Sequence, residues 1–84
     1  MQKFKDKSEI FHALERGELD MGSAVRQLRK QLSLTQEQYA QMIGIDKRVL
    51  AQFERNSGNL TQKKMASILA PLGLEVTARR TKVY

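Results

Sequence analysis

Apolar residues recur at three- and four-residue spacing in five separate stretches of this chain: Ile10, Phe11 and Leu14; Val25, Leu28 and Leu32; Tyr39, Ala40 and Ile43; Val49, Leu50 and Phe53; and Met65, Ile68 and Leu69. That period puts each set on one side of a helix. After Gly73 the period changes to alternation, with Leu74, Val76 and Ala78 on one side and Glu75, Thr77 and Arg79 on the other, which is the signature of a strand. The pattern predicts five short helices followed by one strand.

Polar residues and glycines mark the ends of these stretches. Ser8 with Glu9 is read as the cap of a helix from about Glu9 to Arg16, ended by Gly17, and Gly22 and Ser23 are read as preceding a helix over about Ser23 to Gln31. In that second helix Val25, Leu28 and Leu32 face inward, while Arg26, Arg29 and Lys30 decorate the other sides. Thr35 followed by Gln38 is a capping-box pair for the third helix, and Gly44 stops it. Ile45 can anchor the turn, and Asp46 can cap a fourth helix that runs to Arg55 or Asn56. The fifth helix is placed from Thr61 to about Ala70, where Pro71 lacks an N–H and crowds the carbonyl of Ser67. The fourth helix has an unusual outer face: Lys47, Arg48 and Gln52 project together, and these are side chains that bind phosphates and base edges.

The stretch L-T-Q-E-Q-Y-A at residues 34–40, the Ile43-Gly44-Ile45 turn and the ending Leu50-x-x-Phe53-Glu54-Arg55 resemble the helix-turn-helix family of lambda-repressor, Cro and XRE regulators. The resemblance covers about residues 22 to 74. It implies an all-α, lambda-repressor-like helix-turn-helix domain whose second helix of the pair enters the major groove while the first crosses the DNA backbone. An extra N-terminal helix and a short C-terminal β-strand pairing across a dimer complete the expected fold. The helices followed by L-G-L-E-V-T look like the HipB-like antitoxin branch, whose C-terminal strands form a two-stranded sheet across the dimer.

Carried over residue by residue, the resemblance makes Gln36 the glutamine that holds a phosphate and braces the reading helix. It makes Lys47, Arg48 and Gln52 the residues that meet bases or flanking phosphates, with Arg48 suited to guanine and Gln52 to adenine. Asn56 is placed to bond a phosphate just after the reading helix, and Leu34 to plug the junction before Thr35. Arg29 and Glu54 match a paired arginine and glutamate of the family, which implies an ion pair. The chain departs from the pattern where Val49 and Ala51 replace Thr or Ser, where Gln62 replaces an apolar residue, and at Asn56 and Ser57.

Charge sharpens this reading. Net charge is +6, but residues 1–20 carry four Lys or Arg against five acids, leaving eleven against four in residues 21–84. The basic excess therefore sits with the helix-turn-helix and not with the N-terminal segment. The chain divides into an N-terminal, partly helical extension at residues 1–21, a DNA-binding domain at 22–73, and a C-terminal strand with a basic tail at 74–84. At 84 residues, only about 60% of the unfolded surface is buried on folding, so a shared dimer core is a useful support. A lone strand also lacks a ladder partner, which points to pairing of Leu74, Val76 and Ala78 with the same strand of a second subunit. The alternative is a frayed basic tail.

With no cysteine and one histidine, His12, the sequence offers neither disulfides nor a metal cluster, and it shows no Gly-rich phosphate loop and no conspicuous carboxylate pair. We therefore expect no enzyme activity, no cofactor and no metal. The first residues hold no apolar run of signal-peptide length, and no stretch approaches the roughly 20 apolar residues of a membrane span, so a cytoplasmic location is expected. Three functions are compatible: an antitoxin that represses its own operator as a homodimer and binds a cognate toxin, a stand-alone phage or host repressor, and a protein-binding adaptor whose helix-turn-helix does not read DNA.

Overall fold

The computed structural model describes residue 4 and residues 6–74 of the chain. Five helices follow one another: α1 Lys7–Glu15, α2 Met21–Gln31, α3 Gln36–Ile43, α4 Lys47–Glu54 and α5 Gln62–Leu69, the last running into a 3-10 turn at Ala70–Leu72. Among the described residues there is no strand. The strand expected from Leu74 to Arg79 lies outside them except for Leu74, which is half-buried and whose N–H closes the preceding turn on the carbonyl of Leu69 at 3.0 Å.

The helices are 8 to 11 residues long, shorter than the roughly 12–15 residues an isolated helix needs in water. Their ends and their packing must supply what length does not. Each of the five starts on a side chain that accepts a backbone N–H of its first turn: Asp6, Asp20, Thr35, Asp46 and Thr61. Such a cap contributes about 1 kcal/mol. The Thr35 cap is reciprocal, because Gln38 Oε1 accepts the Thr35 N–H at 2.9 Å while Thr35 Oγ1 accepts that of Gln38 at 3.0 Å. At their other ends, left-handed residues stand at Gly17, Ser33, Gly44, Asn56 and Gly73. Beyond each of them an N–H reaches back five residues, as from Leu34 to Arg29 and from Ser57 to Gln52, which satisfies carbonyls that the helix leaves open.

Two helix starts differ from the sequence reading. The first helix begins at Lys7 on Asp6, not at Glu9 on Ser8, because the Asp6 carboxylate accepts the Glu9 N–H at 3.2 Å. The second begins at Met21 on Asp20, whose carboxylate accepts the Ser23 N–H at 2.9 Å, so Gly22 and Ser23 lie inside α2. That bond, more than the further bonds to the amide of Asn56 and to the side chain of Ser23, holds the Asp20 carboxyl below its usual range. Leu32 also departs from expectation: it is 53% exposed, since α2 ends at Gln31 and the chain turns at Ser33, leaving half-buried Leu34 to fill the junction.

The core is one cluster of Ile10, Ala24, Val25, Leu28, Tyr39, Ala40, Leu50, Ile68, Leu69 and Leu72. Because Ile10 is fully buried in it and Ala13 is buried nearby, α1 packs as part of the same unit as α2 to α5. Tyr39 contributes the largest fully buried side chain, and its hydroxyl donates to the Ile68 carbonyl at 2.5 Å, tying α3 to α5. Burial, with the nearby charge of Glu54, pushes its phenol up to about 12. Pro71 occupies the first turn of the 3-10 segment, where its missing N–H costs nothing, and Leu72 beyond it still packs in the core.

Gly22 shows why an interior helix position carries glycine. A Cβ there would stand 2.4 Å from the Phe53 carbonyl oxygen, 2.9 Å from that of Glu54 and 2.7 Å from Asn56 Oδ1. In a free helix, Gly→Ala stabilises by roughly 1 kcal/mol. Here the clash reverses the sign, and Gly22→Ala is expected to destabilise the protein by about 1–3 kcal/mol in urea unfolding. An unchanged or raised midpoint would show that α2 does not approach the end of α4 this closely.

Candidate nucleic-acid interface

The candidate interface comprises α3, the turn Gly44-Ile45-Asp46 and α4. Gly44 sits at φ +74° with nothing within 4 Å of a Cβ placed on it, so backbone conformation and not crowding selects glycine there. The Ile45 N–H bonds the Ala40 carbonyl at 2.9 Å while its half-buried side chain packs against the core. Asp46 Oδ1 then accepts the Arg48 N–H at 2.7 Å and starts α4. Three residues thus redirect the chain between two helices with every step bonded.

On α4, Leu50 and Glu54 are buried, and Val49 and Phe53 are half-buried. Lys47 and Arg48 are exposed on the opposite side, with Gln52 half-buried one turn after Arg48. Residues four apart on a helix share a face, so Arg48 and Gln52 stand one above the other. The outer face therefore carries two cations and a carboxamide on a helix whose inner face is fixed.

What fixes it is a buried carboxylate. Glu54 accepts two parallel N–H bonds from Arg29, Nε to Oε2 at 2.7 Å and Nη2 to Oε1 at 2.9 Å, and a third from Gln36 Nε2 to Oε1 at 3.0 Å. The remaining fork of Arg29 donates from Nη1 to the Leu34 carbonyl at 2.6 Å. The side chains of Arg29 and Glu54 are 7% and 2% exposed. One residue cluster thus joins α2, the α2–α3 junction, the first residue of α3 and the last of α4. Helical periodicity alone had put Arg29 on an outer side with Arg26 and Lys30; the structure buries it.

The sequence-named residues divide into two groups. Lys47, Arg48 and Gln52 come together on the outer face of α4, and Gln36 stands at the start of α3 with its amide turned to Glu54. Asn56 faces another way: it adopts φ +59° just past α4, its Oδ1 accepts the Gly22 N–H at 3.0 Å, and its amide helps to hold the Asp20 carboxyl below its usual range. It latches the end of α4 to the start of α2. Asn is the commonest non-glycine residue for a left-handed position after a helix, which is the one sequence signal that marked this role. The bond of the Gly22 N–H has no sequence signal, because its partner Asn56 is distant in the chain.

The family model described as Helix-turn-helix matches residues 25–78, and the chain belongs to that family. Its kind is the lambda-repressor-like, XRE-type helix-turn-helix, which makes the protein a DNA-binding transcription regulator. The match begins within α2, so α1 lies ahead of it. A search of curated proteins and a search of solved structures found no match. Among the described residues no helix is long and apolar enough to cross a membrane, and no group of three His, Asp or Glu side chains is placed to hold a metal ion.

An exposed ion pair is worth roughly 1 kcal/mol or less, whereas removing one partner of a buried pair costs about 3–5 kcal/mol because the other charge stays buried and unmatched. Arg29→Met is expected to fall in the second range. The double variant Arg29→Met with Glu54→Leu, which removes both charges, should unfold at a higher urea concentration than Arg29→Met alone. A single substitution costing under 1 kcal/mol would mean that the pair contributes no more than a surface one.

Proposed function

We propose that the protein is a sequence-specific transcriptional repressor that reads an operator with α4 as a homodimer, and that it serves as the antitoxin of a toxin–antitoxin pair whose operator it occupies. The observation that carries the DNA-reading part is the outer face of α4, with Lys47, Arg48 and Gln52 presented on a helix held from behind by Arg29, Glu54 and Gln36. Eight residues make a rod roughly 12 Å long, and the major groove is about 12 Å wide, so the helix can lie in it with Arg48 reaching guanine and Gln52 reaching adenine. Lys47 and Gln36 then meet phosphates. In this reading the protein carries out no chemical step, needs no cofactor and acts in the cytoplasm.

The homodimer is supported by the alternation of Leu74, Val76 and Ala78, a sequence pattern suited to pairing with a second copy of itself, and by the gain that two small domains obtain from binding half-sites together. The antitoxin part is supported by the resemblance of the C-terminal sequence to HipB-like antitoxins. A cognate toxin that co-purifies with the protein distinguishes it from a stand-alone repressor.

Each phosphate neutralised contributes about −0.9 to the slope of log affinity against log salt, so a dimer with on the order of eight contacts should bind an inverted repeat with strong salt dependence. Half-sites should lie roughly 34 Å apart. Arg48→Ala is expected to lose about 1–3 kcal/mol of discrimination at one base pair, while Gln36→Ala weakens all duplexes alike. Fluorescence anisotropy on a panel of single-pair substitutions checks this, and equal losses on every duplex for both variants would refute the assigned roles. Salt-independent binding, or none, favours the adaptor.

Truncation after Gly73 is expected to give a monomer, or a weaker dimer, that binds the operator much less tightly with its reading helix intact. Sedimentation and anisotropy on the truncated chain check this together. A truncated protein that stays dimeric and binds normally would leave residues 74–84 as a tail.

A further inference from the structure

Gln52 differs from Lys47 and Arg48 on the outer face of α4 in being half-buried, and the loop that follows α4 lies beside it. The chain turns back at Asn56, φ +59°, and the Ser57 N–H and Oγ–H both donate to the Gln52 carbonyl, at 2.9 and 3.2 Å. This brings Gly58, at φ +85°, over the Gln52 side chain. A methyl group on residue 58 would stand 3.0 Å from Gln52 Oε1, 3.5 Å from its Cβ and 3.6 Å from its Cδ. The backbone at Gly58 thus lies close beside the Gln52 side chain, and a side chain added there would press first on the carboxamide, the group that would meet a base edge.

We propose that Gly58 is a positioning residue for base selection, because the space it leaves beside Gln52 lets the loop hold the Gln52 carboxamide in one pose on the outer face of α4. This rests on the DNA-reading role proposed above. A free glutamine has three side-chain torsions to order when it binds, and a planar carboxamide reads adenine only when both its donor and its acceptor are aligned. Holding the side chain before binding removes part of that ordering cost, which is how a preorganised contact discriminates better than a flexible one. The geometry also explains two features that the helix itself does not require. The loop needs a left-handed residue at 58, and a Cβ there would displace the end of the Gln52 side chain by a few tenths of an ångström, since the crowding is against Gln52 and not against the core.

The test uses the full chain and DNA alone. The wild-type protein first selects a preferred duplex from a randomised library, and that duplex with its single-pair substitutions becomes the probe set. Gln52→Ala identifies the base pair that Gln52 reads. Gly58→Ala, and Gly58→Asn as a second variant because asparagine accepts a positive φ at low cost, should each lose roughly tenfold discrimination at that same pair and keep the ranking of the others. In a Gln52→Ala background neither should add anything, the coupling expected of two residues that act as one. Thermal unfolding confirms that each variant is folded, and if Gly58→Ala is not, Gly58→Asn reads the same quantity. Unchanged preference in a folded variant, equal weakening at every pair, or a full Gly58 effect without Gln52 would overturn the proposal. A library that yields no preferred duplex would overturn the base-reading role itself, and the role of Gly58 with it.

Discussion

The architecture depends on one buried carboxylate. Glu54 sits at the end of α4 with its side chain almost fully out of water and receives three N–H bonds, two from Arg29 and one from Gln36. A charge so placed is tolerable only if it is matched and its lone pairs are used, so the position of Glu54 dictates where α2 and the start of α3 must be. Arg29 is constrained in turn, because its other nitrogen is committed to the Leu34 carbonyl. An apolar contact can slide by a fraction of an ångström at little cost; a planar guanidinium on a planar carboxylate cannot. The arrangement makes the two helices of the motif a rigid unit on α2.

Around that cluster, the rest of the chain solves a length problem. Helices of 8 to 11 residues cannot persist by propensity, and a small domain has little apolar surface to bury. Side-chain caps at all five starts and left-handed turns after the helices satisfy the open backbone groups that short helices have in high proportion. The α4 end is tied twice, by Glu54 to α2 and α3 and by Asn56 to Gly22 and Asp20. Both ties act on the inner side of the helix, and neither uses Lys47 or Arg48.

Much of this is legible in the sequence where the signal is local, although the local caps Asp6 and Asp20 compete with Ser8 and Ser23 as helix starts and only the structure separates them. Thr35 with Gln38, Gly44, Asp46 and Thr61 each act within three or four residues of themselves, and the structure has a cap or a turn at each. The family is likewise carried by short motifs around the turn, and the family match covers them. Positions decided by distant partners were misread. Gly22 looked like a residue ahead of α2, whereas it lies within it, pressed against carbonyls more than thirty residues later. Leu32 fitted the apolar stripe by spacing, yet α2 stops one residue short of it and the stripe ends at Leu28. Asn56, which follows α4, has a tie to α2 that its position in the sequence does not announce: its Oδ1 accepts the Gly22 N–H. Periodicity knows the face of a helix, not where the helix stops or what stands opposite.

In the proposed mode of binding, a rigid helix pair presents the outer face of α4, and the start of α3, to DNA. Backbone amide shifts of the full chain during titration with its preferred duplex test this residue by residue. The largest changes are expected at Gln36, from Lys47 to Gln52 and in the loop through Gly58, while Ile10 to Leu14 of α1 stay unmoved. Changes concentrated on α1, or spread evenly through the core, would contradict it.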